Sequence, residues 1–284
     1  VSALAVAAAA ALVLAGALAL AVRAAVRSDA FRERVGAAAR ERIGREVGYA
    51  SLDLALAPLR AVLEGAFLAG SGPRRPPLLE AERAELPLDL WALLRGDAPA
   101  RALAFERGRL RPARGLSLPL RDGRIELRPQ AGSLGVDAAA SLAGGGALRA
   151  QGRLGEAWAL DVELEAVDLG ALGESLASVS PLAGRASGAL RLRGPADALE
   201  EVRAELAVED ARLGIEDIHL EGRLGATLEL PPGRFAIDAT GAELWTRGPV
   251  RYRKPAGQHA SVTGRFVRRP DGGFDLLEAR LHVK

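Results

Sequence analysis

The chain has no cysteine and no methionine, and its only lysines are Lys254 and Lys284. Without cysteine there are no disulfides and no thiolate metal ligands. That fits an oxidising compartment in which no bridge is used, and it fits the cytosol equally. Without methionine the initiator is not in this sequence: Val1 is a translated alternative start, or residues precede it. Aromatic residues make up 4%. A compact core is normally filled by Leu, Ile, Val and Phe, and large rings carry much of the buried area. Here 49% of residues are apolar, but many are Ala, and there are 33 glycines. The chain therefore has many inward positions and few bulky groups to fill them. Two readings stand: an apolar surface left open, or a GC-rich coding bias that writes Ala, Gly and Arg wherever it can.

Charge of one sign is also lacking. The 38 basic and 36 acidic residues leave a net +2, spread without a basic block. This is not a nucleic-acid footprint.

What is present is alternation. From Ala189 the chain runs Leu190-Arg-Leu192, Val202-Arg-Ala204-Glu-Leu206-Ala-Val208, Leu213-Gly-Ile215, Leu220, Leu224 and Leu228-Glu-Leu230. Apolar residues at every second position with charges between them have the period of a strand with one dry and one wet face. Gly194-Pro195, Glu209-Asp210, Glu216-Asp217 and Pro231-Pro232-Gly233 read as the separators of a meander of hairpins. Similar strands are expected over 49–58, 62–68, 78–86, 103–110 and 160–164. Further strands flank a turn at Arg121-Asp122-Gly123-Arg124 and a loop at Gly144-Gly145-Gly146. About 14 strands at ~4.8 Å spacing would span roughly 65–70 Å.

Residues 1–22 carry no charge and are rich in Ala, Leu and Val. At ~1.5 Å per residue they are long enough to cross a hydrocarbon core of about 30 Å. A transmembrane anchor is expected there, with a cleaved signal peptide as the alternative. Arg23, Arg27, Arg32 and Arg34 follow it. Positive-inside reasoning alone would keep that side cytoplasmic. Over 23–48 the spacing of Phe31, Val35, Ala39, Ile43 and Val47 predicts a juxtamembrane helix, opened by Ser28-Asp29 and ended by Gly44 and Gly48. Short helices are also expected at 89–96, around Trp91, and from Leu169 behind an Asp168 cap.

No catalytic constellation emerges. His219, His259 and His282 are solitary, and no HExxH, GxSxG, P-loop or GxGxxG context is present. Asp161, Glu163 and Glu165 alternate on one strand and read as a charged outer face. Trp91 and Trp245 read as packing or interfacial residues. Neither an enzyme activity nor a metal or cofactor is expected.

The order of these elements carries a resemblance. An apolar anchor is followed by Phe31, Val35 and Ile43-Gly44-Arg-Glu-Val47, then by Leu52-Asp-Leu54 with Pro58, then by Leu86-Pro-Leu-Asp-Leu90-Trp91-Ala-Leu-Leu94-Arg-Gly96. This is similar to the N-terminal region of AsmA-like proteins. The run from Val167-Asp-Leu169 through Pro181-Leu-Ala-Gly184 to Leu190-Arg-Leu192-Arg-Gly194 resembles the recurring unit of the AsmA/TamB type. The resemblance implies a bacterial inner-membrane protein, single-pass, with a mainly β body over 49–284 in the periplasm. That body would be a long curved antiparallel sheet, groove- or taco-like, with a few short helices. It would carry phospholipid and serve outer-membrane biogenesis. The groove lining would include Leu190, Leu192, Leu206, Val208, Leu213, Ile215, Leu220, Leu224, Leu228 and Leu230. Family members are far longer, and here the alternation runs to Val283 without a distinct closing element. A body truncated at its C-terminus is therefore one expectation. A cell-envelope scaffold with a closed β-domain and no lipid path is the other function carried forward.

Overall fold

The computed structural model describes residues 28–284 apart from 31–32, 34–35, 38–39, 42–44, 57, 71–75, 90–101, 114–115, 131–132, 174–182, 196–199, 216–217, 248–251 and 269–273. The strands begin with β1 (Val47–Gly48), β2 (Ser51–Leu56), β3 (Leu59–Leu68), β4 (Leu79–Pro87) and β5 (Ala102–Ala113). Next come β6 (Leu116–Gln130), β7 (Ser133–Leu142), β8 (Ala147–Leu154) and β9 (Ala157–Asp168). One helical turn, α1 (Gly170–Gly173), leads to β10 (Ala183–Pro195), β11 (Glu201–Ile215) and β12 (Ile218–Leu230). The series ends with β13 (Arg234–Asp238), β14 (Ala242–Thr246), β15 (Arg253–Lys254), β16 (Ala260–Arg268) and β17 (Phe274–Val283). Among the described residues all 17 strands lie in one sheet, and every pairing is antiparallel. The protein is mainly β, and its sheet is a meander in which successive strands are neighbours.

Three ranks of the meander are broken strands. β13 and β14 pair with the two halves of β12. β15 and β16 in turn pair with β14 and β13. β1 and β2 likewise share β3.

The breaks belong to a line of irregularities that crosses the sheet. It starts at Gly65, which has φ 59°. It passes Arg107 at φ 51° and a register shift at Arg121, and reaches the β7–β8 turn. From there it runs through the bulges at Glu165-Ala166 and Glu209-Asp210. It ends in the excursions 239–241 and 255–259. Ala166 (φ 49°) and Asp210 (φ 52°) occupy the left-handed region, which costs a non-glycine residue energy. Each shift has the same effect. In β9 the apolar positions Leu160, Val162 and Leu164 resume at Val167, an odd step that would turn Val167 to the wet face. The extra residue absorbs it, so Leu164 pairs with Gly188 and Val167 with Ala186. In β11, Val208 opposite Leu224 is followed by Ala211 opposite Gly222. A bulge bends its strand and keeps the sides in phase.

Two sequence expectations are corrected here. Glu209-Asp210 is not a turn but the bulge within β11. Asp122-Gly123 is not a hairpin turn either, because β6 runs through it, paired with β5 and β7 on its two edges. Gly123 lies opposite Phe105, and a Cβ there would run into the Phe105 ring, as would one at Gly108. The glycines make room for a ring, the other meaning of glycine inside a strand.

Around Phe105 the sheet is packed. Ala81, Ala84, Phe105, Leu118, Leu120, Leu142 and Val167 form a buried cluster, with Leu63, Leu103, Ile125, Leu148 and Leu164 against it. The segment before β1 closes this half. Arg45 donates to the Ala69 carbonyl (3.1 Å), and its guanidinium lies 4.5 Å from the Trp158 ring centre. Tyr49 and Trp158 are both buried.

The expected anchor over 1–22 and helix 89–96 (beyond Asp89) lie outside the described residues. Among the described residues no helix is long and apolar enough to cross a membrane. Residues 29, 30, 33, 36, 37, 40 and 41 of the expected juxtamembrane helix are helical, but Val47–Gly48 is strand, paired with Phe67 and Leu68. Asp168 accepts the Gly170 amide (2.8 Å) at the start of α1, as its position suggested.

Gly123→Ala should cost about 1–3 kcal/mol by overpacking in urea denaturation. In a Phe105→Ala background, itself destabilised by about 3–5 kcal/mol, the same change should cost clearly less, with the Ala139 carbonyl, 3.0 Å from the new methyl, left as the remaining close contact.

Candidate functional site: the apolar face of the sheet

Antiparallel partners project to the same side, so the register assembles the apolar face row by row. Leu190, Ala204, Leu228 and Phe235 form one row across β10–β13. Leu192, Val202 and Leu230 form a second. Leu206, Ala226, Ile237, Val262 and Leu281 form a third. Val208 faces Leu224, and beyond the bulge Leu213, Leu220 and Leu244 continue the face. Nine of the ten expected lining residues therefore share one face, and each is half-buried. Ile215 continues the register opposite Ile218, but its side chain lies outside the described set.

Burial follows the bulge line. In the first half of the sheet its floor is Phe105, Leu120, Leu142 and Val167. From β10 onward the floor is Ala186, Ala211, Ala239, Ala242 and Ala260, each between 0 and 6% exposed. The walls above these alanines are the half-buried leucines. At β17 the face is more open still, with Leu276 63% and Leu281 64% exposed. The change from bulky to small floor residues was present in the sequence. Nothing in the period marked which alanines would fall on the bulge line.

The opposite face is a ladder of charges. Asp161 pairs with Arg191 (2.9 Å), Glu209 with Arg223 (2.9 Å) and Glu221 with Arg212 (3.1 Å). Such exposed pairs add little stability each. Their effect here is to keep that face wet. Two open depressions of about 520 and 740 Å³ sit on this side, with charged rims over small residues such as Ala139, Ala147 and Ala207. His219 stacks on Trp245 across the β12–β14 pair, with ring centres 5.6 Å apart, and His282 is exposed. Among the described residues no three His, Asp or Glu side chains gather where they could hold a metal.

One polar cluster was missed by sequence reasoning. It lies at the end of the bulge line, where the two broken ranks meet. Lys254 pairs with Leu244 and so starts on the apolar face. At 1% exposure it is the one buried charged side chain among the described residues. Its Nζ donates to the carbonyls of Ala242 (2.6 Å), Ala239 (3.0 Å), Pro255 (3.1 Å) and Thr240 (3.4 Å). Beside it, Asp238 Oδ1 accepts the Thr240 amide (2.9 Å), and the Thr240 hydroxyl lies 3.4 Å from His259 Nδ1. Hydrogen bonds from the Thr240 hydroxyl and then its amide hold the Asp238 carboxyl below its usual range, with His259 and Lys254 adding to the effect. The available signal was compositional: lysine where the chain otherwise writes arginine.

A carboxyl lowered by folding stabilises the fold above its unfolded pKa, and that stability is lost as pH falls through the folded value. The stability gap between wild type and Asp238→Asn, measured by urea denaturation, should therefore be largest near neutrality. It should narrow below about pH 4.

No family model matches this chain, nor does any curated protein or solved structure.

Proposed function

We propose that this chain is an AsmA-like envelope protein, anchored in the inner membrane with its β body in the periplasm, and that it holds phospholipid acyl chains against the apolar face of β10–β16. The observation that carries this reading is the alanine floor beneath half-buried leucine walls. A floor without bulk leaves depth for a methylene chain, and each methylene withdrawn from water contributes about 0.8 kcal/mol. The headgroup stays in water, so binding and sliding need no catalytic side chain. The order of sequence elements described above supports the family and with it the compartment and the role in lipid transport or outer-membrane biogenesis. The packed Phe105 cluster and the Arg45–Trp158 closure favour a second reading for the first half, that of a structural scaffold which binds no lipid.

Mass spectrometry of lipid extracted from the purified protein separates the two. Co-purifying phospholipid is expected, and its amount should fall severalfold in Leu213→Asp and Leu220→Asp but little in Glu221→Asp. Equal effects of the three substitutions, or no phospholipid in wild type, would leave only the scaffold.

A further inference from the structure

The carbonyls of Ala239, Thr240, Ala242 and Pro255 converge on a single point from two separate stretches of chain, 239–242 and 255. Convergent main-chain carbonyls are the donor set that takes a desolvated monovalent cation. Here the cation is a side chain. We infer that these four carbonyls form a built site for a primary ammonium, which the chain fills with its own Lys254 to tie the two broken ranks together.

Several observations bear on this. Two of the four oxygens also accept main-chain amides, Ala239 from Ala242 (3.1 Å) and Thr240 from Gly257 (2.8 Å), and a buried ammonium needs several acceptors at once. An ammonium brings three N–H groups on a compact head at the end of a flexible stem. A guanidinium is planar, with its donors splayed in a fork. The chain carries 38 basic residues, of which only Lys254 and Lys284 are lysine, and one of those two sits where a compact head is needed. The site also ties main-chain positions that the β14–β15 ladder does not pair with one another. Lys254 is the last residue of β15, just before the excursion that leads to β16, while Ala239 and Thr240 lie in the excursion between β13 and β14 and Ala242 is the first residue of β14. Further main-chain bonds cross the same gap, from the Ala239 amide to the Ala260 carbonyl (2.8 Å) and from the Gly257 amide to the Thr240 carbonyl (2.8 Å). The ammonium thus holds two adjacent breaks in step, where the alanine floor reaches its end. This inference is independent of what occupies the apolar face.

Two experiments test it. In native wild-type protein, reductive dimethylation followed by peptide mass spectrometry should modify Lys284 readily and Lys254 at least about tenfold more slowly. In denaturant the two should react alike. Equal native rates would overturn the burial on which the site depends. Next, the thermal midpoint of Lys254→Ala should fall by on the order of 5–10 °C. It should recover in part, saturably, on adding propylammonium chloride, but not with the same concentration of tetramethylammonium chloride, which has no N–H. Lys254→Arg should lose a similar amount and gain nothing from propylammonium, because its own stem fills the approach. If Lys254→Ala folds only with help, refolding yield in the two salts reads the same difference. An unchanged midpoint in Lys254→Ala, or equal effects of the two salts, would overturn the site.

Discussion

A long sheet that keeps one dry face through a bend meets a geometric constraint. Side chains alternate strictly, so any odd insertion sends every later apolar residue into water. The bulges at Glu165-Ala166 and Glu209-Asp210 satisfy the constraint by placing the extra residue where the strand bends. They accept left-handed Ala166 and Asp210 in return for a continuous dry face. Everything else about the molecule depends on this phasing: which alanines become floor, which leucines become wall, and where the excursions around Lys254 fall.

The two halves of the sheet use the same backbone plan with different side chains. In the first, Phe105 fills the bend over Gly108 and Gly123, and the rest of the cluster packs about it. In the second, alanines take the corresponding positions. One half has the character of a domain core. The other presents an apolar surface whose leucines are incompletely covered by the chain itself. The functional proposal rests on that difference in volume and not on any reactive group.

Much of the architecture was legible in the sequence, because period-two alternation is a direct image of a half-wet strand. The face shared by Leu190, Leu206, Leu213 and Leu228 could be read from it. The misreadings concern residues that have two physical meanings. Asp122-Gly123 has the chemistry of a turn, but glycine also makes room for a ring, and only the position of Phe105 decides between them. Glu209-Asp210 breaks the alternation as a turn would, yet a break of one residue is also what a bulge requires. The Lys254 site was illegible for a further reason. Its partners are main-chain oxygens, which every residue carries, so no side-chain pattern announces them.

The clasp of Arg45 on Trp158 bears on cooperativity. It joins positions far apart in the chain and spans several ranks of the meander. From β10 onward the substantial contacts are between sheet neighbours, as in a repeat array whose stability is a sum of adjacent interfaces. The Arg45–Trp158 contact adds to the first half a tie between distant ranks, on top of the neighbour contacts that both halves share. A sheet organised in this way can loosen where its apolar face is least filled while the half packed around Phe105 stays whole.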